Sequence, residues 1–362
     1  MTLLLNGVRV LVLSRVLAGP LCTMTLGDMG AKVIKIEKPG TGDETRGWGP
    51  PFDDRGESAY YLSVNRNKMS AAADLDLPAD REFVLDLVAG ADVVVDNFRP
   101  GVLERRGIFP EQLLRTHEKL IWCTISGFGP GSNRAGYDLV VQAESGWMSI
   151  TGDPDGEPAR VGVALADIIA GKDAAIAILA ALAGREKNGV DRRILISLAH
   201  SATAALINVA QNSLVTGEDA ARWGNQHPNL VPYQPFRAAD RSLIVAVGTD
   251  GQWRECAAAL GLDELANDPA LRTNAGRIAA RRRIVDAMSN RLAERPAREW
   301  MRLLSERRVP CGLVNSVLEA LSYVEASPLS GIAPSVPGEV RLPPPRLNEH
   351  GAAIRERGWN GL

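Results

Sequence analysis

Between Gly7 and Glu37 the chain spells out a strand, a helix and a second strand with almost no spare residues. Gly7–Ser14 (GVRVLVLS) is a short apolar, β-branched run, and Gly19-Pro20 breaks it. Proline is tolerated in the first turn of a helix, so Leu21–Met29 reads as the helix. Past Gly30, Lys32–Glu37 (KVIKIE) reads as the second strand. A strand–helix–strand crossover places its two strands in parallel. The same alternation continues, with strands expected at Met69–Leu75, Asp92–Asp96 and Leu120–Ser126 and helices at Asp80–Val88 and Pro110–His117. The fold class is therefore α/β with a mostly parallel sheet.

The first turn excludes the commonest use of that architecture. A dinucleotide site needs Gly-x-Gly-x-x-Gly between the first strand and its helix, whereas Ser14–Pro20 holds only Gly19. No P-loop, Gly-x-Ser-x-Gly or His-Glu-x-x-His occurs. Forty-one basic residues against 43 acidic ones leave a formal charge of −2, so no global field recruits nucleic acid or an anionic membrane. Residues 272–308 hold eleven arginines against four acids, which read as solvated helix faces. The apolar stretch Ala174–Ala183 covers ten residues, about half of what a membrane-spanning helix needs. Cys22, Cys123, Cys256 and Cys311 lie far apart, and only four histidines are present. Neither a metal centre nor a disulfide framework is expected. The N-terminus lacks the basic region and cleavage site of a signal peptide, and the compartment reads as cytoplasm with reduced thiols.

At 362 residues the chain has room for about two domains. A glycine-rich loop at Ser126–Gly131 precedes a helix expected over Tyr137–Met148. Asp167–Glu186 is the most apolar helix, and its nearly all-round hydrophobicity marks it as buried. A strand at Arg192–Leu198 and a helix at His200–Thr216 follow. Composition turns polar at Gly217–Asn229, where a domain boundary belongs. Beyond it we expect a strand at Leu243–Val247, helices at Gln252–Leu260, Ala275–Ala293 and Arg298–Glu306, and a strand at Gly312–Asn315. The proline-rich tail from Pro328 reads as extended.

Two readings fit Asp167. Aspartate is a favoured N-cap, accepting backbone N–H bonds at the positive end of the helix dipole. A carboxylate at the head of a buried helix also suits a covalent nucleophile, and the same dipole would keep it ionised at neutral pH. Asn97–Gly101 follows a parallel strand at its C-terminal end, where open α/β sheets bind ligands. Lys38, Arg99 and Arg105 are positioned either as phosphate partners or as plain surface charge. Tyr137-Asp138 is either a substrate-facing hydroxyl or a helix start.

Several blocks, taken in order, closely resemble the class III CoA-transferases, the CaiB/BaiF family. They are Gly7–Val12, Ala18–Pro20, Leu26–Glu37, Gly42-Asp43 to Arg46-Gly47, Asn65–Lys68, Val95–Gly101, Ile125–Gly129, Asp167–Gly171, Pro228 to Tyr233 and Val309–Gly312. The resemblance covers nearly the whole chain. It implies a Rossmann-like large domain over 1–216, completed by 319–362, a linker at 217–224 and a small domain over 225–318. It further implies an interlocked homodimer in which each chain is a ring threaded through the other. Asp167 falls on the family's catalytic aspartate. The CoA-contacting positions fall on Leu17, Ala18, Lys38, Ala73, Asp74, Leu75, Asn97, Phe98, Arg99, Arg105, Arg134 and Tyr137.

The implied activity is transfer of CoA from an acyl-CoA to a carboxylic acid through aspartyl–acyl anhydride and aspartyl–CoA thioester intermediates, without a metal. The Leu17–Gly19 turn would supply backbone donors to an oxyanion. Position 17 is glutamine in formyl-CoA transferase-like members but Leu17 here, and Gly224–Pro228 stands where those members carry a flexible glycine-rich run. Both departures favour an acyl group larger or less polar than oxalate or formate. The chain is also short at its C-terminus for this family, which leaves its closing contacts open. The rival within the fold is an α-methylacyl-CoA racemase, whose members carry His-Asp where Tyr137-Asp138 stands; tyrosine, with a usual pKa near ~10, is a poor base at neutral pH. A non-catalytic CoA-binding protein is the remaining alternative.

Overall fold

The computed structural model describes residues 3–185 and 191–360. Its contacts divide the chain into two units, Met1–Met148 with Arg160–Glu218 and Val324–Leu362, and Ser149–Ala159 with Asp219–Tyr323. Segment Ser149–Ala159, placed in the large domain by the sequence reading, packs with the second unit.

The first unit is built on six parallel strands: β1 (Arg9–Val12), β2 (Lys32–Glu37), β3 (Met69–Ala72), β4 (Val93–Asp96), β5 (Ile121–Ser126) and β6 (Arg193–Ser197). They run in the order β3-β2-β1-β4-β5-β6, so the chain reverses direction across the sheet between β1 and β4. Helix α1 (Ala18–Asp28) makes the crossover from β1 to β2. Strand period decides which side chain serves which face. Val10, Val12, Val93, Val95, Ile121 and Cys123 join one core with Cys22 and Leu26 of α1 and with Ala170, Ala174 and Ile178. The intervening Leu11, Val94 and Trp122 join a second core with Val84, Leu87, Ile354 and Trp359. Both faces are covered, as a parallel sheet requires.

Asn65–Lys68 is structural. Arg66 pairs with buried Asp28 at 2.7 Å, and Lys68 Nζ donates to Pro20 O, Val64 O and Asn65 Oδ1. Asn67 Oδ1 accepts from the N–H groups of Arg341 and Leu342. Arg341 also donates to the carbonyls of Gly27 and Ala31, and Asn348 Oδ1 accepts from Ala72 N–H. The tail closes on this unit through those bonds, short as it is. It is not wholly extended, since Gly351–Arg357 is helical.

Three expected helices are broken. Tyr137–Met148 becomes Asp138–Glu144 and Trp147–Ile150, parted at Gly146, whose φ of +87° ends a helical run. His200–Thr216 becomes Leu198–Ala204 and Asn208–Thr216, with Ile207 at φ +43° between them. Ala275–Ala293 becomes Asn274–Ala279 and Arg281–Leu292. The long apolar helix runs Leu165–Gly184; Glu186, its expected end, lies outside the described residues. No helix among the described residues is long and apolar enough to cross a membrane.

The second unit carries the antiparallel strands β7 (Tyr233–Arg237), β8 (Ser242–Ala246) and β9 (Cys311–Leu313). Strand β7, which the sequence reading does not include, carries Pro235 in its middle. It lies at the sheet edge, where a missing N–H is tolerated. The arginine-rich stretch is not simply a solvated face. Arg277 is buried, binding Val231 O and Leu271 O and pairing with Asp250 at 2.9 Å. Arg281 holds Pro228 O and Arg291 holds Leu260 O.

Candidate active site

The strand-order reversal between β1 and β4 opens a crevice at the C-terminal ends of those strands, the usual ligand position in such sheets. Two turns meet there. The turn after β1, Ser14–Leu17, leads into α1, and the turn after β4 is Asn97–Arg99. Asn97 joins them: its Oδ1 accepts the Arg15 N–H at 3.0 Å and its Nδ2 donates to Arg15 O at 2.8 Å.

Buried Asp96 fixes the second turn. It accepts from Trp122 Nε1 at 2.7 Å, Phe98 N–H at 3.0 Å and the Thr124 hydroxyl. Burial raises its pKa, against the three donors.

Lys35 and Asp43 fix the first turn. Lys35 Nζ, fully buried in β2, donates to Ser14 O at 2.9 Å and to Asp43 Oδ2 at 2.8 Å. Asp43 takes the Val16 N–H across both oxygens at 3.3 Å, and its Oδ1 accepts from the Thr45 N–H and hydroxyl. Burial alone would raise this carboxyl, but Lys35 and Thr45 outweigh it and hold it at about 2. Val16 sits at φ +70°, a left-handed conformation that costs a β-branched residue on the order of 1–3 kcal/mol.

Of the twelve expected CoA positions, Lys38, Ala73, Asp74, Leu75, Asn97, Phe98, Arg99 and Arg105 line one cleft of about 600 Å³. Arg15, Asp43 and Arg106 line it as well. Arg106 pairs with Asp76 at 2.7 Å, whereas Lys38, Arg99 and Arg105 are exposed with no ion-pair partner among the described residues. Those cations are charge-assisted donors of the kind that pair with phosphate groups. Leu17 and Ala18 lie outside the cleft lining, on the β1–α1 turn that starts at its edge. Arg134 and Tyr137 are exposed and also outside the lining. Arg134 pairs with Glu144 and stacks over Phe128 at 4.1 Å.

Asp167 is the third residue of helix Leu165–Gly184, not its N-cap; Ala164 occupies that position without a side-chain cap. The capping comes from another helix. Asp138 Oδ1 accepts the N–H groups of Ala166 at 2.8 Å and Asp167 at 3.4 Å. Buried Gln142 donates to Asp138 Oδ2 and to Val163 O and accepts from Val161 N–H, fixing the approach to the helix.

The Asp167 carboxylate is not held in its charged form by the dipole, as the sequence suggests. Burial, then the neighbouring Asp138 charge, push it up to about 7, opposed by the dipole of the nearby Ala18 N–H. Asp167 is therefore poised between its two forms at neutral pH.

Tyr60 was missed. Burial raises its phenol to about 12, reinforced by the charges of Asp167, Asp138 and Asp43, so it stays a hydrogen-bond donor. Its ring meets Trp48 edge-on at 5.2 Å between centroids. No spacing in the sequence singles out Tyr60, whereas Asp43 lies inside one of the matched blocks.

Residues 5–330 match CoA-transferase family III. The chain is 43% identical over 324 residues to a succinyl-CoA:glutarate CoA-transferase of Mus musculus, covering 89% of this chain and 74% of that protein. It is 38% identical to a succinate–glutarate CoA-transferase of Agrobacterium fabrum, covering 97% and 94%. A crystal structure of a CAIB/BAIF family protein from Brucella suis superposes with a TM-score of 0.88 at 38% identity over 98% of this chain and 99% of that one. Fold and comparisons agree: the chain is a CoA-transferase and belongs to CoA-transferase family III.

Proposed function

We propose that this enzyme moves CoA between an acyl-CoA and a carboxylic acid with Asp167 as a covalent nucleophile. The observation that carries the reading is one turn with two ends. Arg15 lines the cleft, and three residues later the Ala18 peptide lies against the helix of Asp167, near enough for its N–H to lower the pKa of that carboxyl. A CoA ester whose phosphates lie on Lys38, Arg99 and Arg105 would have its pantetheine arm led along that turn towards Asp167.

The chemistry then runs in four balanced steps. Asp167 attacks the donor thioester carbonyl, forming an aspartyl–acyl anhydride and releasing CoA thiolate. The thiolate attacks the aspartyl carbonyl, giving an aspartyl–CoA thioester and the free donor acid. The acceptor carboxylate attacks that thioester, forming a second anhydride and thiolate. The thiolate finally takes the acceptor acyl group and returns Asp167 to its free form. Each step exchanges one acyl bond for another, and no thioester is lost to water. Ala18 N–H, close to the Asp167 carboxyl, would stabilise the oxyanion that forms on the aspartyl carbonyl in the second and third steps.

For substrates we propose dicarboxylic acids of four to five carbons and their CoA esters, with oxalate disfavoured by Leu17. The two relatives that carry this choice are those named for succinyl-CoA or succinate and glutarate. We also propose a homodimer. Helix Asn208–Thr216 buries no residue, and Ile207, Leu214 and Val215 beside and within it are exposed at 74–78%, an apolar surface that a second copy of the chain would cover.

Incubating the enzyme with succinyl-CoA and a panel of acids, glutarate and oxalate included, with mass spectrometry of the CoA esters, tests the activity. The reading requires an acid-dependent new CoA ester. Solvent deuterium entering the carbon next to the thioester without any acceptor would instead indicate a racemase. Light scattering of a homogeneous 38.8 kDa species would remove the dimer.

A further inference from the structure

Three residues of the Ser14–Ala18 turn are gripped from outside it, and the grip has no part in the chemistry proposed above. Ser14 O is held by Lys35, Arg15 by Asn97 on both its N–H and its carbonyl, and the Val16 N–H by Asp43. Val16 is left-handed at φ +70°, a conformation valine does not adopt unless its surroundings impose it. The Asp43 carboxylate is the group that meets its N–H. Two residues on, the Ala18 peptide lies against the helix of Asp167, where a Cβ on Gly171 would sit 2.6 Å from its carbonyl oxygen, and its N–H lowers the Asp167 pKa.

We propose that Asp43, paired with buried Lys35, is a positioning residue for CoA transfer: it holds Val16 left-handed so that the turn delivers the Ala18 N–H to the Asp167 carboxylate. The proposal rests on Asp167 being the nucleophile. Asp43 touches neither the reacting atoms nor Asp167. It acts through the backbone between residues 16 and 18, and the Lys35 ammonium keeps it ionised so that it accepts the weakly aligned Val16 N–H as well as the two donors of Thr45. Without that anchor, relaxation of Val16 towards an ordinary φ rotates the following peptides and withdraws the donor.

The groups that shift Asp167 besides burial are the Asp138 charge, which raises its pKa, and the Ala18 N–H, which alone lowers it. This gives the test a sign. In Asp43→Asn, withdrawal of the Ala18 N–H moves the acidic limb of kcat/KM to higher pH. Mere removal of a distant negative charge would move it to lower pH, and loss of the cap that Asp43 provides to the turn Glu44–Gly47 would lower stability without moving it. We expect kcat to fall about 30- to 100-fold, the scale of a misplaced catalytic contact.

The same assay is run on Asp43→Glu, which keeps the charge on Lys35 but lengthens the arm by one methylene, in case Asp43→Asn does not fold. Support requires both a lower kcat and an upward shift of the limb; any other combination overturns the proposal. Trapping of Asp167 as a hydroxamate in the wild-type enzyme separates the two layers. A labelled wild type with an unshifted Asp43 variant removes only the positioning role, and an unlabelled wild type removes the nucleophile and the positioning role with it.

Discussion

A Cβ on Gly171 would sit 2.6 Å from the carbonyl oxygen of Ala18. Gly171 lies one helical turn beyond Asp167 on the same face of its helix, so a close approach of that helix to α1 is set beside Asp167. The bare backbone lets the Ala18 peptide lie against the helix, with its N–H near enough to lower the Asp167 pKa.

Gly171→Ala should therefore impair turnover more than binding. The added methyl meets a backbone oxygen that cannot rotate away, so the two helices must part. Overpacking of this kind costs about 1–3 kcal/mol in stability, and we expect kcat to fall at least about tenfold while the CoA dissociation constant stays within threefold. Calorimetry with CoA beside steady-state kinetics checks the split; equal losses in both would place the effect elsewhere.

Asp138→Asn should move the acidic limb of kcat/KM downwards. The amide oxygen still accepts the N–H groups of Ala166 and Asp167, but the like charge that raises Asp167 is gone. From about 7 the limb should fall by about one unit, opposite in direction to the Asp43 variants. A pH–rate profile between 5 and 9 reads it, and an unmoved limb would mean that Asp138 only caps the helix.

How much of this was legible in the sequence follows from what each feature depends on. The six parallel strands rest on local apolar runs and were readable, as was the ligand position after Asp92–Asp96, but the strand order that opens the crevice between β1 and β4 depends on pairing that no local run specifies. The three broken helices turn on Gly146, Ile207 and the 279–281 junction, where tertiary packing overrides a continuous helical pattern. Asp167 was visible as a residue, but its protonation was not. The dipole argument is local, whereas burial and Asp138, 29 positions away, decide its pKa. Asp43 and Tyr60 reach the site only through folding, so spacing alone does not reveal them.

Asp167→Asn should stabilise the protein at alkaline pH. The carboxyl's folded pKa is raised, so its protonated form stabilises the fold fully below about 4. That contribution is lost as pH rises through about 7. Replacing it with a neutral amide of the same shape removes the penalty of burying the charge. We expect a gain on the order of 2–4 kcal/mol above pH 8 that shrinks to nothing near pH 4. Urea unfolding at both pH values measures it, and a gain that does not vary with pH would contradict the assigned environment.

The central claim is that Asp167 becomes covalently acylated. Mixing the enzyme with succinyl-CoA and hydroxylamine, then mapping peptides by mass spectrometry, tests it most directly, because anhydrides and thioesters react with hydroxylamine and free carboxylates do not. The account predicts a hydroxamate on Asp167 alone, formed only when the acyl-CoA is present. An unmodified Asp167 in enzyme that is turning over would contradict it.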